Sequence, residues 1–434
     1  MRNYFRSIYY LYDLMSHLHW KEEKLREHQN RELKKVINSA YESVPFYHRL
    51  FKRNKIKPSD IRSIEDLNRI PVIRKEDMRK NILDVISNRY KIQDLVKLET
   101  SGSTGKPFPV YITRNEDDYR KAKHLRANIY CGQRLRDRLV ALTSPSHMTK
   151  VPKIMRTLGI YSWDFVSVFD NIDTQISKLE RMKPDILDGY SSSLTILAKE
   201  VDKRGLKTIN PRFIISGAEL LDNQMRQIIE KVFEVSVYDQ YSIVEVERIS
   251  SQCPIEKGYH IDADSVIIQF VDSNGEEVSV GERGEIICTS LFNYAMPFIR
   301  YAVGDIGIPT DEVCECGITL PLMNIIEGRK DSILYLPDGR ILSPRIFSLS
   351  MNSFSDIKRV DQFKIIQKKL NLFEFMIKKK NEEDDERILG SKLKDHLIRM
   401  LRFSPDEIEI KITFVDEIPL EKTGKMRYII SQIN

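Results

Sequence analysis

A segment rich in glycine and hydroxyl residues is the part of the sequence best suited to binding phosphate. It consists of Thr100, Ser101, Gly102, Ser103, Thr104, Gly105 and Lys106. Glycine lets a backbone approach its ligand closely, and successive N–H groups together with hydroxyls form an anion-binding loop. The spacing differs from a Walker A loop, which needs four residues between its glycines and Ser or Thr after the Lys. We predict that this segment binds the polyphosphate of a nucleotide; the alternative is a flexible Ser/Gly hairpin.

A second set of chemically capable side chains combines thiols with an imidazole. Cys253 and His260 are separated by six residues, and Cys314 and Cys316 by one. Thiolates and imidazole suit a tetrahedral Zn²⁺ ion, so we predict a closed structural zinc site. The alternative is a set of unrelated reduced thiols, because a free Cys often behaves as a small core residue. With five cysteines in 434 residues, the chain has no disulfide framework.

The elements around these residues alternate between strand and helix patterns. Residues 1–90 are mostly helical, with Leu33, Val36, Ile37 and Ala40 on one helical face. The apolar runs at 139–142, 213–216 and 235–238 predict buried strands, and 224–233 predicts a helix between two of them. This alternation predicts a layered α/β domain that becomes more β-rich from residue 266 onward.

The last hundred residues predict a separate small unit. Phe373, Phe375 and Ile377 alternate as in a strand, and residues 408–414 do the same. Leu389, Leu393 and Leu397 indicate a helix between these two strands.

The composition is that of a globular protein, with 41% apolar residues, 30% charged residues and a net charge of +6. That excess suits a phosphate-bearing substrate but is too small to indicate nucleic-acid binding. No apolar run is long enough to span a membrane, and the N-terminus lacks a signal-peptide core, so we expect a cytoplasmic protein.

Several motifs, taken in order, resemble those of the adenylate-forming superfamily of acyl-CoA synthetases and adenylation domains. The closest match is the phenylacetate–CoA ligase family, including its capsular-polysaccharide branch. The motifs are the segments 44–47, 70–77, 100–107, 216–219, 238–245, 300–305, 328–331 and 418–427. They span nearly the whole chain, so the resemblance implies the fold and the activity of that superfamily.

The resemblance implies a role for each matching residue. The nucleotide would contact the loop at 100–106 together with Ser216, Gly217, Ala218, Glu219, Asp239, Tyr241, Ser242, Asp305 and Arg329. Glu245 would help to hold Mg²⁺, which prefers oxygen ligands, and Asp305 would accept hydrogen bonds from the ribose. Ser242 and Val244 replace the usual Gly and Thr, and Val244 lacks the hydroxyl that in the family would contact the metal or a phosphate. Some relatives in the capsular branch carry a structural metal at positions similar to those of the Cys/His set.

The C-terminal motifs imply a mobile domain. Lys425 matches the family's catalytic lysine, and Asp331 occupies the hinge position. We therefore predict residues 1–90 as the helical N-terminal part of a large domain and 91–328 as its nucleotide- and substrate-binding part. Residues 329–331 are the predicted hinge, and 332–434 are a small C-terminal domain that carries Lys425. The predicted fold class is α/β, with a layered large domain, a β-rich subdomain and a small mobile α+β domain.

The predicted reaction joins a small-molecule carboxylic acid to AMP and releases pyrophosphate. The acyl group then passes to CoA, to a carrier-protein thiol or to a sugar amine, in a reaction that could serve cell-surface polysaccharide biosynthesis. The cofactors implied are ATP and Mg²⁺, with CoA and structural Zn²⁺ as further candidates. The alternatives are a degenerate relative that binds nucleotide or acyl groups without turnover, a phosphotransferase that yields ADP, and a metal-held scaffold that does not use ATP.

Overall fold

A computed structural model of the protein describes most of the chain. The described residues are 4–99, 108–143, 157–255, 258–327, 334–338, 341–342, 347, 350–351, 353–381, 383–401, 403, 406–418 and 429–433. Two compact units divide the chain. The first comprises Met1–Asp137, Gly159–Tyr161 and Tyr238–Ile326, and the second comprises Arg138–Leu158, Ser162–Val237 and Glu327–Asn434. Across the described ranges, no helix has the length and apolarity that crossing a bilayer requires.

Helices and strands alternate along much of the chain. The helices are α1 (Tyr4–His17), α2 (Glu22–Ser43), α3 (Pro45–Arg53), α4 (Lys75–Arg79), α5 (Arg114–Tyr130), α6 (Ile172–Met182), α7 (Ser191–Lys203), α8 (Asn223–Phe233) and α9 (Glu386–Leu401). The strands of the first 217 residues are β1 (Val96–Glu99), β2 (Pro109–Ile112), β3 (Leu139–Thr143), β4 (Trp163–Ser167), β5 (Ile186–Tyr190) and β6 (Phe213–Gly217). The next seven are β7 (Val237–Ile243), β8 (Glu247–Ser251), β9 (Tyr259–Ile261), β10 (Val266–Val271), β11 (Gly284–Ser290), β12 (Tyr301–Pro309) and β13 (Leu322–Glu327). The last six are β14 (Leu334–Tyr335), β15 (Ile341–Leu342), β16 (Val360–Lys369), β17 (Leu372–Lys379), β18 (Glu409–Phe414) and β19 (Ile429–Ser431).

In the first unit, N-terminal helices share a core with a mainly antiparallel sheet. The sheet has the order β10-β11-β12-β13-β9-β8-β7. Leu33, Val36, Ile37 and Ala40 line the buried face of α2 and are each 0% exposed. Helix α2 ends at Ser43, and Pro45 opens α3, where the missing proline N–H costs no helical hydrogen bond. The sequence-predicted helical face is therefore the one that is buried.

A separate hairpin-like pair in the first unit flanks the predicted phosphate loop. Strands β1 and β2 pair antiparallel, with Glu99 opposite Pro109. Residues 100–107, which connect them, lie outside the described part of the chain. The segment therefore starts and ends at neighbouring positions of one two-stranded sheet.

The second unit begins with a parallel sheet. Its order is β6-β5-β3-β4, and the β5–β6, β3–β5 and β3–β4 pairs are all parallel. Parallel neighbours need crossover connections, which α6, α7 and α8 help to supply. Asn171 and Asp222 cap α6 and α8, since their side chains accept hydrogen bonds from Thr174 N and Met225 N.

The C-terminal part of the second unit forms its own core. Its sheet has the order β18-β17-β16-β19, and α9 packs on β18. Phe373, Phe375 and Ile377 from β17 are fully buried, as are Leu393 and Leu397 from α9. Within the second unit, the ammonium of Lys199 on α7 donates to the carbonyl of Asp361 on β16 at 3.0 Å. The mixed α/β fold predicted from the sequence, with its C-terminal domain, is confirmed.

Candidate functional site

The structure describes part of the predicted nucleotide site. Thr100 to Lys106, Arg329, Asp331 and Lys425 lie outside the described residues. The described members fall into two groups. One is the segment Ser216–Glu219 in the second unit, and the other comprises Asp239, Tyr241, Ser242, Glu245 and Asp305 in the first.

Among the predicted site residues of the first unit, Glu245 has well-defined contacts. Its side chain is 5% exposed and its Oε1 atom has two partners. The Tyr301 hydroxyl donates to this oxygen at 2.8 Å, and the Lys75 ammonium lies 3.1 Å from it. The Tyr301 hydroxyl and the Lys75 ammonium thus both approach the carboxylate at Oε1. These two partners fix the carboxylate, and carboxylate oxygens are ligands that a hard cation prefers.

The backbone around Glu245 is fixed as well. The Arg120 guanidinium donates to the Val244 carbonyl at 2.8 Å and to the Glu245 carbonyl at 3.5 Å. The Asn293 amide donates to the Glu245 carbonyl at 2.8 Å. These bonds hold the loop between β7 and β8 without a hydroxyl at position 244, which is where the sequence departs from the family motif.

Tyr241 and Asp305 contact each other across the first unit. The Tyr241 hydroxyl donates to Asp305 Oδ2 at 2.5 Å, and Asp305 is 7% exposed. Asp239 accepts a hydrogen bond from the Tyr259 hydroxyl at 2.7 Å, which ties it to β9. Tyr241, a predicted nucleotide contact, therefore lies directly beside Asp305, the predicted ribose-binding side chain.

Arg300 is the first residue of the segment 300–305, which also contains Asp305, and its side chain has a structural role. Its guanidinium donates to the carbonyls of Asn68, Ile70 and Gly275 at 3.1, 2.6 and 2.7 Å. Its φ of 47° lies in the left-handed region, a conformation that costs about 1–3 kcal/mol in a non-glycine residue. The three carbonyls that it satisfies help to hold this backbone, which leads directly into Tyr301.

The segment 216–219 binds the start of helix α7 in the second unit. The Ser216 hydroxyl lies 2.8 Å from that of Ser191, and Glu219 Oε2 accepts a hydrogen bond from Ser192 N at 3.0 Å. A carboxylate at a helix N-terminus is stabilised by the free N–H groups and by the helix dipole. Ala218 has a φ of 63°, so the turn after β6 is left-handed. Glu219 therefore positions α7.

The structure reveals partners that the sequence reasoning missed. Lys75 and Tyr301 contact the Glu245 carboxylate, and Arg120 and Asn293 contact its backbone. Tyr301 and Lys75 both belong to segments that had been matched to the family, the first directly after Arg300 and the second within 70–77. Nothing in the local spacing indicates that these two segments meet at Glu245.

The four Cys/His residues do converge in the first unit. Their ligand atoms all lie within 4.8 Å of one another. Cys253 Sγ is 3.5 Å from Cys314 Sγ, and Cys316 Sγ is 3.3 Å from His260 Nε2. Strand pairing brings the halves together, because His260 on β9 lies opposite Leu322 on β13, a few residues after the Cys-x-Cys pair. Gly317 forms the turn that follows this pair, with a φ of 87°.

The donor set of this cluster fits zinc. Around a tetrahedral ion with Zn–S bonds near 2.3 Å, sulfur atoms stand about 3.8 Å apart, close to the spacing seen here. His260 Nδ1 lies 3.0 Å from the Leu320 carbonyl, which can only accept, so Nε2 is left free to face a metal. Burial raises the pKa of Cys316 to about 12, raises the pKa of Cys253 and lowers that of His260. Without a metal the thiols of Cys253 and Cys316 therefore stay protonated, and metal binding would release their protons.

Comparison with known proteins shows which proteins the chain resembles. The phenylacetate-coenzyme A ligase of Thermus thermophilus is 29% identical over 321 residues, 72% of each protein. Protein CapK of Staphylococcus aureus is 25% identical over 422 residues, 94% of this chain and 90% of CapK. The CapK C-terminal domain family matches residues 334–432. The resemblance to the adenylate-forming superfamily is confirmed.

A solved structure shows the same fold. A 2-hydroxyisobutyryl-CoA ligase, solved in the postadenylation state with R3-HIB-AMP, aligns with a TM-score of 0.79. The alignment covers 96% of this chain and 91% of that ligase at 18% identity. The relatives are thus phenylacetate–CoA ligases and CapK, and the structural neighbours are acyl-CoA ligases of the adenylate-forming superfamily.

Proposed function

We propose that this chain is an AMP-forming acid–CoA ligase-like enzyme. The observation that carries the proposal is the Glu245 carboxylate, which is buried and is fixed at Oε1 by Tyr301 and Lys75. It belongs to the motif that in the family would hold Mg²⁺. Kinship with a phenylacetate–CoA ligase over 321 residues supports the same assignment.

The first half-reaction is adenylation. A substrate carboxylate oxygen attacks the α-phosphorus of ATP, an acyl–AMP anhydride forms and pyrophosphate leaves. The two reactants are both anionic, and unit charges about 4 Å apart repel by roughly 4 kcal/mol at an effective dielectric near 20. Lys425 and the loop at 100–106 would offset this repulsion, and Glu245 would hold a Mg²⁺ ion that would supply further positive charge. Tyr241 and Asp305 would orient the nucleoside.

The second half-reaction transfers the acyl group. A thiol or amine attacks the acyl carbonyl, loses its proton and displaces AMP. The resemblance assigns Asp331 to the hinge about which residues 332–434 turn, which would remove Lys425 from the site. The candidate acceptors are CoA, a carrier-protein thiol and a sugar amine, and kinship with CapK supports an acceptor in cell-surface polysaccharide biosynthesis.

We also propose that Cys253, His260, Cys314 and Cys316 hold a structural Zn²⁺. The supporting observation is the convergence of four soft ligand atoms within 4.8 Å. Four protein ligands close the coordination sphere of zinc, which is typical of a structural site rather than a catalytic one.

Lys425→Ala, compared with Lys422→Ala three residues earlier, tests the two half-reactions. We expect Lys425→Ala to lower ATP–pyrophosphate exchange by about 100-fold or more, because the removed charge stabilises the transition state. With pre-formed acyl-adenylate and CoA the loss should be much smaller, and Lys422→Ala should retain both activities. The exchange assay would first be run on a panel of carboxylic acids to find a substrate.

The results would separate the proposal from its alternatives. An equal loss in both assays would refute the two-role assignment of Lys425. Nucleotide binding without exchange for any acid would favour a degenerate relative, and ADP as the product would indicate a phosphotransferase.

A further inference from the structure

The inference concerns the ammonium group of Lys75. Its nitrogen lies 3.1 Å from Glu245 Oε1, and the side chains of Lys75 and Glu245 are 28% and 5% exposed. A carboxylate that is so deeply buried needs a positive partner, because burial without one is costly. Lys75 therefore supplies, in the described structure, the charge that a metal ion would otherwise supply to Glu245.

Two fixed contacts place Lys75 beside Glu245. Ile73 forms a parallel bridge with Tyr301, since Ile73 N donates to the Arg300 carbonyl at 2.9 Å and Ala302 N to the Ile73 carbonyl at 2.8 Å. Arg74 makes a two-pronged pair with Glu285 at 2.8 and 3.0 Å, directly before Lys75 begins α4. The backbone bridge between Ile73 and Tyr301 thus holds the segments of Lys75 and Tyr301 side by side. Both side chains therefore reach the Glu245 carboxylate.

Lys75 also lies near Phe108, which follows the predicted phosphate loop in the sequence. Its ammonium is 5.8 Å from the centroid of the Phe108 ring, and Phe108 is the first described residue after 100–107. The contact with the ring face is favourable for a cation but weak. It leaves the ion pair with Glu245 as the main interaction of Lys75.

We propose that Lys75 is the resident counter-ion of Glu245 and that a divalent cation competes with its ammonium for this carboxylate. The identity of that cation as the Mg²⁺ of adenylation rests on the proposed function; the competition itself does not. Two cations on one carboxylate repel each other, so the lysine weakens metal binding until ATP contributes further oxygen ligands. Lys75 is in this sense a positioning residue that makes the metal site depend on the nucleotide.

Binding of Mn²⁺ in the absence of ATP tests this proposal directly. Free Mn²⁺ would be measured by electron paramagnetic resonance during titration of the full-length, zinc-loaded protein. We expect Lys75→Met to bind Mn²⁺ about five- to tenfold more tightly than the wild type, since a competing charge on a mostly buried partner is removed. Lys75→Arg, which keeps the charge, should stay near the wild type. Lys80→Met removes an exposed lysine just past the end of α4 and serves as the matched control.

A Glu245→Gln variant identifies the relevant Mn²⁺ site, because it should lose the binding that Lys75→Met strengthens. Unchanged or weaker Mn²⁺ binding by Lys75→Met, or no Mn²⁺ binding by either protein, would overturn the proposal. If Lys75→Met does not fold, Lys75→Gln answers the same question with a polar side chain. The titration needs neither turnover nor an acid substrate, so a failure of pyrophosphate exchange and a failure of the competition are separate results.

Discussion

The Cys/His cluster and the Glu245 carboxylate are two candidate cation sites in the same unit, and they are built in opposite ways. The cluster brings together four ligand atoms within 4.8 Å. Glu245 offers one carboxylate, and one of its oxygens is already bound by Tyr301 and Lys75. Four protein ligands complete a tetrahedral sphere, whereas a single carboxylate leaves most of the sphere to other ligands.

The two sites are therefore expected to serve different purposes: the Cys/His cluster stabilises the fold, and Glu245 takes part in the reaction. A closed site gains its binding free energy when the chain folds and keeps the metal. A site with one protein ligand and a resident lysine gains its metal together with a substrate that carries phosphate oxygens. The comparison predicts that damage to the cluster affects folding, and that damage around Glu245 affects the reaction.

The largest effect is expected for Cys253→Ser. Cys253 is 0% exposed, and loss of one of four ligands should remove zinc and destabilise the first unit by several kcal/mol. That corresponds to a fall in Tm of about 10 °C for a domain of this size. Zinc content by mass spectrometry and thermal unfolding would be measured together.

Cys288→Ala is the control for that experiment, because Cys288 is also buried and lies outside the cluster. It should keep zinc and lose only the stability of a small cavity. Stoichiometric zinc in Cys253→Ser, or a wild-type protein purified without zinc, would contradict the assignment.

The second effect is expected for Glu245→Gln. Loss of the negative charge should lower pyrophosphate exchange by about 100-fold or more, since the proposed metal loses its protein ligand. Stability and zinc content should change little, because Lys75 is 28% exposed and can be solvated. Glu76→Gln, which changes an exposed carboxylate on α4, should leave exchange unchanged. Exchange by Glu245→Gln within threefold of the wild type would remove Glu245 from the mechanism.

The sequence predicted elements whose signals are local. The buried face of α2 and the β17–α9–β18 order of the C-terminal part follow from apolar periods of 3.6 and 2 residues. The Cys/His cluster was also predictable, because its ligand types are uncommon and are grouped in two short segments. Motif resemblance proposed roles for Glu245, Tyr241 and Asp305, which stay predictions, and it did not indicate that Tyr241 donates a hydrogen bond to Asp305.

The partners of Glu245 could not be predicted from local patterns. Lys75 reaches it from 170 positions away through the bridge between Ile73 and Tyr301. One lysine among 69 basic residues carries no signal of its own, since most basic side chains are solvated. The motif resemblance assigns Glu219 to the nucleotide, and it gave no sign that the Glu219 carboxylate accepts a hydrogen bond at the N-terminus of α7.

The smallest effect is expected for Tyr301→Phe, which removes one hydroxyl and keeps a ring that is 1% exposed. The lost hydrogen bond to Glu245, 2.8 Å long, should be worth about 1–2 kcal/mol in the orientation of the carboxylate. Pyrophosphate exchange should therefore fall about tenfold. Tyr47→Phe is the matched control, because the Tyr47 hydroxyl is equally buried but bonds the backbone of Pro297 and Ile299. We expect Tyr47→Phe to lower Tm without a specific loss of exchange. Equal loss of exchange in two variants with equal Tm would show that the Tyr301 hydroxyl stabilises the fold and does not orient the Glu245 carboxylate for the reaction.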